Sequence, residues 1–168
     1  GHWLTVTNFF DMHPLMGRRG KPAGDFEKKT GDSSEVVVKE ALRFLKEQLN
    51  TNSDARTFTV IWFGTPHSPW ASLESDREHF SKLSFQAQRH YGELVAMDRS
   101  IGALRSGLRE LGVADNTLLW FSSDNGGLPN KEFQPTVGQL NEAIDGMVPL
   151  RGSKGTLYEG GLRVPSIR

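Results

Sequence analysis

The chain has 168 residues, enough for one domain with a substantial core, and its 20 Lys and Arg balance 20 Asp and Glu. A formal net charge of zero gives no electrostatic reason to expect nucleic acid or an acidic membrane surface as a partner. There is no cysteine, which rules out disulfides, thiolate metal sites and a cysteine nucleophile within these residues, and no stretch approaches the roughly 20 apolar residues of a membrane span.

The opening Gly1-His2-Trp3-Leu4 has neither the basic start nor the long apolar region of a signal peptide. Residues 3–10 are rich in aromatic and β-branched side chains and read as a strand or an extended surface segment. Residues 11–31 turn polar, basic and rich in Gly and Pro, the composition of a long loop. Its Arg18-Arg19-Lys21 cluster is either a solvated loop or a patch that meets an anionic substrate.

Asp32-Ser33-Ser34-Glu35 opens a helix, with Asp32 at the N-cap and Glu35 at the spacing of a capping box. Val36, Val37, Leu42, Phe44, Leu45 and Leu49 supply its apolar face, so the helix runs over about 33–49. Residues 58–64 (Phe-Thr-Val-Ile-Trp-Phe-Gly) read as a buried strand, followed at once by Thr65-Pro66-His67-Ser68-Pro69. His67 thus stands just past a strand's carboxyl end, between two prolines that stiffen the turn. Taken alone, a lone histidine is more often structural than catalytic.

Residues 84–111 read as a long helix, with Leu94, Val95, Ile101, Leu104, Leu108 and Leu111 at spacings of three and four and Gly112 as its stop. Asp98-Arg99 within it suits an ion pair that orients the helix. The apolar run Leu118-Leu119-Trp120-Phe121 then breaks directly into Ser122-Ser123-Asp124-Asn125-Gly126-Gly127. A strand–helix–strand order implies parallel pairing of 58–64 with 117–123 and a right-handed crossover. Ligands in such sheets sit beyond the strands' carboxyl ends, where Asp124 and Asn125 would offer oxygen. The plain alternative is that Asp-Asn-Gly-Gly is only a turn.

Residues 128–148 form another long polar segment. Beyond it, glycines surround Lys154 and Glu159, so the backbone can close around something small, and a lysine there suits an oxyanion. An exposed flexible loop is the alternative. Residues 162–167 look like a short strand.

Four motifs occur in this order in the chain: Thr65-Pro66-His67-Ser68-Pro69, Asp98-Arg99-Ser100-Ile101-Gly102, Ser123-Asp124-Asn125-Gly126, and Arg151-Gly152-Ser153-Lys154-Gly155-Thr156-Leu157-Tyr158-Glu159-Gly160-Gly161-Leu162-Arg163-Val164-Pro165. Together they strongly resemble the formylglycine-dependent sulfatases of the alkaline phosphatase superfamily. The last block is the most specific, and the resemblance covers the chain from about Asp32 onward. It implies an α/β, alkaline-phosphatase-like fold: a mixed, mostly parallel sheet flanked by helices, here incomplete. It also implies roles by position. Asp124 and Asn125 match the pair that ligates an active-site calcium ion (Ca2+). Lys154 matches the lysine that binds the sulfate group, and His67 the histidine near the ester oxygen, which protonates the leaving alcohol or holds the sulfate. Glu159 and Arg163 are read as scaffold. Related phosphatases and phosphodiesterases carry Asp-His where this chain has Asp124-Asn125, which favours the sulfatase branch.

One departure is large. The family's formylglycine arises from a Cys/Ser-x-Pro-x-Arg motif, and no such motif occurs here; nor does the Asp-Asp pair that completes the calcium site. Residues 1–168 are therefore read as the central portion of a single sulfatase catalytic domain, a fragment carrying half an active site. The implied substrate is a sulfated small molecule or glycan, in a periplasmic, secreted or lysosomal setting. The alternatives are a phosphoryl or phosphonate hydrolase on the same scaffold, and a non-catalytic homologue that binds sulfated glycans through Lys154 and the basic loop.

Overall fold

The computed structural model describes residues 12–16, 22–28, 31–54, 56–67, 69–127 and 150–168, the first two stretches as backbone. The expected element at 3–10, the Arg18-Arg19-Lys21 cluster and the polar segment 128–148 lie outside the described residues. The chain divides into two compact units, one running to Asp115 and the other from Asn116.

In the first unit the two described stretches of the loop expected at 11–31 are instead paired strands. Strand β1 (Met12–Met16) pairs antiparallel with β2 (Pro22–Lys28), Met12 opposite Lys28 and Met16 opposite Pro22, with a register irregularity between Pro14 and Met16. Both strands of a two-stranded ladder are edges, so Pro14 and Pro22 interrupt no central hydrogen bonding. Composition pointed to a loop because a strand is made by its partner more than by its own propensity.

Helix α1 (Ser33–Thr51) begins where the sequence puts it. Asp32 caps it by accepting from Ser34 N at 2.8 Å. The reciprocal half of the expected capping box is not made, because Glu35 turns to Arg99 instead, with Arg99 Nε donating to Glu35 Oε1 at 2.9 Å. A short turn unforeseen in the sequence follows the 65–72 segment: α2 (Glu74–Arg77) continued by a 3-10 turn, Glu78–Phe80. Helix α3 (Phe85–Glu110) starts at Ser84, whose hydroxyl accepts from Ala87 N at 3.3 Å, and stops at Gly112 in the left-handed region (φ 71°).

The core of this unit is the α1–α3 contact. Val38, Ala87, Ala96, Leu104 and Leu108 are all at most 6% exposed. The buried stripe of α3 runs Glu93, Ala96, Ser100, Leu104, Gly107 and Leu108, whereas Leu94, Val95 and Ile101 lie only half-buried on its flank. Small residues in the stripe let the helices approach: a Cβ on Gly107 would lie 2.6 Å from the Leu42 methyl carbons. Burying each of the two leucines stabilises the pair by about 1.5–3 kcal/mol.

The expected strand at 58–64 takes part in no ladder among the described residues, and Phe58, Val60 and Trp62 are exposed, Phe58 at 92%. A groove of about 320 Å³ runs between this stretch and Val37, Ala41 and Phe44 of α1. A continuous apolar run is the signature of a strand covered on both faces, and among the described residues this one is fully covered on neither.

The second unit contains β3 (Phe121–Ser122), a helical turn α4 (Glu159–Leu162) and β4 (Ser166–Ile167). The strand expected at 117–123 therefore shrinks to two residues, as does the one at 162–167. They pair with each other, antiparallel, Phe121 opposite Ile167 and Ser122 opposite Ser166. Both observed ladders are antiparallel, so the expected parallel pairing of 58–64 with 117–123 is absent from the described ladders.

Candidate active site

The candidate residues fall in two places. His67 lies on a strap, described at residues 65–67 and 69–72, that is tethered at several points within the first unit. Its backbone N donates to Gly64 O at 2.9 Å, forming the turn that presents the exposed imidazole. Thr65 Oγ1 accepts from Ser34 Oγ at 3.3 Å, and Ser34 is fully buried in the first turn of α1. Trp70 Nε1 donates to Pro66 O at 2.9 Å, while the Trp70 ring stands edge-on to His90, centroids 5.5 Å apart. The peptide bond between Thr65 and Pro66 is cis.

The far end of the strap is fixed by two side chains, Glu93 and Arg77. Ala71 N donates to Glu93 Oε1 at 2.6 Å, and Arg77 Nη1 donates to Ser72 O at 2.9 Å. Glu93 is 4% exposed, and burial pushes its carboxyl up to about 8, with nearby Asp32 adding to the rise and the Ala71 hydrogen bond and Arg89 opposing it. Burial likewise raises Asp32 and lowers His90.

The second place is built from glycines. Asp124 is exposed and Asn125 half-buried, and the turn they occupy is closed by Ser123 Oγ donating to Asn125 O at 2.8 Å. Asn125 Nδ2 donates to Gly126 O at 2.9 Å, which leaves its Oδ1 as the atom able to ligate a cation. Gly126 N donates to Gly161 O at 2.9 Å, and Lys154 N donates to Gly127 O at 3.0 Å. These two bonds stitch the Asp-Asn-Gly-Gly turn to the loop that carries Lys154.

The loop closes on its own backbone. A Cβ on Gly126 would fall on the Gly160 carbonyl, and one on Gly160 would strike the Gly152 carbonyl. Gly152 and Gly155 take φ of 86° and 84°, open to glycine at little cost. Thr156 Oγ1 accepts from Ser153 N at 3.1 Å and donates to Ser153 O at 2.8 Å, which tightens the turn around Lys154. Arg151 Nη2 donates to Tyr158 Oη at 2.8 Å, its guanidinium carbon 3.9 Å from the ring centroid. Glu159 and Arg163, read from sequence as scaffold, bracket the helical turn, with Arg163 N donating to Glu159 O at 2.8 Å.

Asp124, Asn125 and Lys154 are thus joined in one unit by direct backbone bonds, while His67 belongs to the other. Among the described residues no cluster of three or more His, Asp or Glu side chains forms a metal site. The oxygens of Asp124 and Asn125 suit a hard cation such as calcium, which takes about six to eight such donors, so they fit as part of a set. The reading from sequence missed Glu93 and the Arg99–Asp76 pair. Glu93 lies three and seven residues before Ala96 and Ser100 on the apolar stripe of α3, and a carboxylate in that phase was the available signal.

The family model described as Sulfatase matches residues 3–167. This chain belongs to the sulfatase family. N-acetylgalactosamine-6-sulfatase of Homo sapiens is 32% identical over 168 residues, 98% of this chain and 27% of that protein. Arylsulfatase J of Mus musculus is 35% identical over 107 residues, 63% of this chain and 16% of that protein. The crystal structure of Ps i-CgsB in complex with k-i-k-neocarrahexaose superimposes with a TM-score of 0.65 at 25% identity, covering 90% of this chain and 32% of that one. The fold class is accordingly the alkaline-phosphatase-like α/β class of the sulfatases. The sulfatase-family chain spans about a quarter of the length of the N-acetylgalactosamine-6-sulfatases it matches.

Proposed function

We propose that residues 1–168 are the central portion of a single sulfatase catalytic domain, and that the whole protein is a calcium-dependent sulfuric ester hydrolase. The observation that carries this reading is the bond from Lys154 N to Gly127 O, which seats a cationic loop beside the Asp124-Asn125 turn. The relatives' names, an N-acetylgalactosamine-6-sulfatase and an arylsulfatase among them, support a sulfated sugar or an aryl sulfate ester as substrate.

In this reading the Asp124 carboxylate and Asn125 Oδ1 would serve as two of the oxygen donors to a calcium ion, with further donors supplied by other residues of the whole protein. The bound ion would polarise the sulfuryl oxygens, and a formylglycine outside this chain would supply the nucleophile. Lys154 offsets the sulfate's charge as the S–O bond breaks. His67 gives a proton to the departing alcohol or holds the ester oxygen.

The test is sulfate release from a sulfated sugar and an aryl sulfate by the full-length protein. Asp124→Ala and Lys154→Ala each lower turnover by orders of magnitude in this reading. A parent indifferent to both substitutions, or one that releases phosphate and not sulfate, would overturn it.

A further inference from the structure

The strap bearing His67 ends against a side chain that the proposed chemistry does not use. Glu93 projects from the buried stripe of α3, and its Oε1 takes the Ala71 N–H at 2.6 Å, four residues along the chain from His67. Its other oxygen and the adjacent Ser72 hydroxyl are both buried, with no hydrogen-bond partner among the described residues. The junction is tight: a Cβ on Gly92 would lie 2.5 Å from Ser72 Oγ and 2.8 Å from Ser72 Cβ. An apolar side chain at this position would fill the space without the cost of burying a carboxyl group, but would leave the Ala71 N–H without this acceptor. The position is instead filled by a group that fixes one particular backbone N–H.

We propose that Glu93 is a positioning residue for His67, anchoring the 65–72 strap to α3 so that the imidazole is presented in one orientation. The proposal rests on the reading of His67 as a proton donor or ester-oxygen ligand. The tethers at the other end, Ser34 to Thr65 and Trp70 to Pro66, hold the turn itself. At the strap's distal end Glu93 Oε1 is the α3 side-chain acceptor that holds the Ala71 backbone N–H, beside the ring contact of Trp70 with His90 of the same helix. Misplacing a reacting group by about 1 Å costs up to about 100-fold in rate, so a slack strap registers in turnover more than in substrate affinity. Because burial raises the Glu93 carboxyl to about 8, glutamine matches it at neutral pH in length, acceptor and charge.

The experiment uses the full-length protein and an aryl sulfate, with Glu93→Gln, Glu93→Met, Glu93→Asp and His67→Ala, and the Met and Asp changes also combined with His67→Ala. Glutamine is expected within about threefold of the parent. Methionine keeps the volume but lacks the acceptor, aspartate keeps the acceptor but falls a methylene short, and each should lower kcat about 10- to 100-fold with KM within about threefold. In the His67→Ala background neither should lower kcat further, since nothing is left to position. If the methionine variant does not fold, the aspartate variant carries the same comparison. Additive losses in the double variants would overturn the proposal, as would a glutamine variant as poor as methionine. Full turnover by His67→Ala would overturn the reading of His67 and this proposal with it. An impaired His67→Ala beside unimpaired Glu93 variants would overturn this proposal alone.

Discussion

Arg99 grips Asp76 through two parallel hydrogen bonds, Nη1 to Oδ1 at 2.8 Å and Nη2 to Oδ2 at 3.1 Å, and reaches Glu35 with the same guanidinium. One side chain of α3 thereby joins the first turn of α1 to α2, the helical turn that closes the strap. Asp76 is 5% exposed, so this is a desolvated fork at one end and a wetter contact at the other. The two carboxylates hold Arg99 still further above its ordinary, always-charged range.

Replacing Arg99 should therefore hurt through Asp76 more than through Glu35. Arg99→Ala leaves a buried carboxylate unpaired and is expected to destabilise by about 1–3 kcal/mol. Arg99→Lys should recover less than half of that, because an ammonium cannot make the two-pronged contact. Glu35→Ala, at a half-exposed position, should cost under about 1 kcal/mol. Urea denaturation of the three variants measures the order, and a Glu35 variant worse than Arg99→Ala would contradict it.

Adjacent glycines should differ sharply. A methyl on Gly126 meets the Gly160 carbonyl, whereas a methyl on Gly127 meets nothing within 4 Å. Gly126→Ala is expected to push the Lys154 loop off the Asp-Asn turn, costing about 1–3 kcal/mol and more than tenfold in turnover of the full-length protein. Gly127→Ala should stay within about twofold, since its carbonyl still accepts from Lys154 N. Melting temperature and sulfate release, read side by side, test the contrast.

Glu93 also predicts a direction for pH dependence. Its folded carboxyl is raised from 4.5 to about 8, so between those values the unfolded chain is ionised while the folded one keeps its proton. The unfolded state binds fewer protons there, and stability falls as pH rises. The contribution is fully present below about 4.5, declines by up to about 1.4 kcal/mol per pH unit, and is gone once pH passes about 8. Asp32, raised by burial, acts in the same sense. Denaturation midpoints from pH 5 to 9 should fall less steeply in Glu93→Gln than in the parent. Equal slopes would show that the carboxyl does not stay protonated.

Calcium should separate this chain from the whole protein. Asp124 and Asn125 supply one carboxylate and one amide oxygen, well short of the six to eight donors calcium takes. Titration calorimetry of residues 1–168 alone is expected to give a dissociation constant of about 1 mM or weaker, with no sulfate release. Chelation of the full-length protein should abolish turnover and restoring calcium should recover it. Turnover by the isolated chain would contradict this.

Local signals settled the helices and the motif chemistry. Asp32, Ser84 and Gly112 mark helix ends because a cap satisfies backbone groups within a few residues of itself, so α1 and α3 were legible within two residues at each end. The Asp-Asn-Gly-Gly turn and the glycine-rich block around Lys154 carried the family's identity in their residue types alone. Tertiary structure decided what depends on a distant partner. The apolar run at 58–64 could not declare its ladder, since a strand is defined by a neighbour that its own residues do not encode. Arg99 reads in sequence as a partner for Asp98 next to it, yet successive helix positions point apart and its carboxylates come from α1 and α2. The phase of α3 is set by the small residues facing Leu42 and Ser72, which turned Glu93 inward and Leu94 to the flank. That Lys154 sits against Gly127 follows from backbone bonds spanning 27 and 35 residues of sequence, the second made at Gly126, where a Cβ would fall on the Gly160 carbonyl.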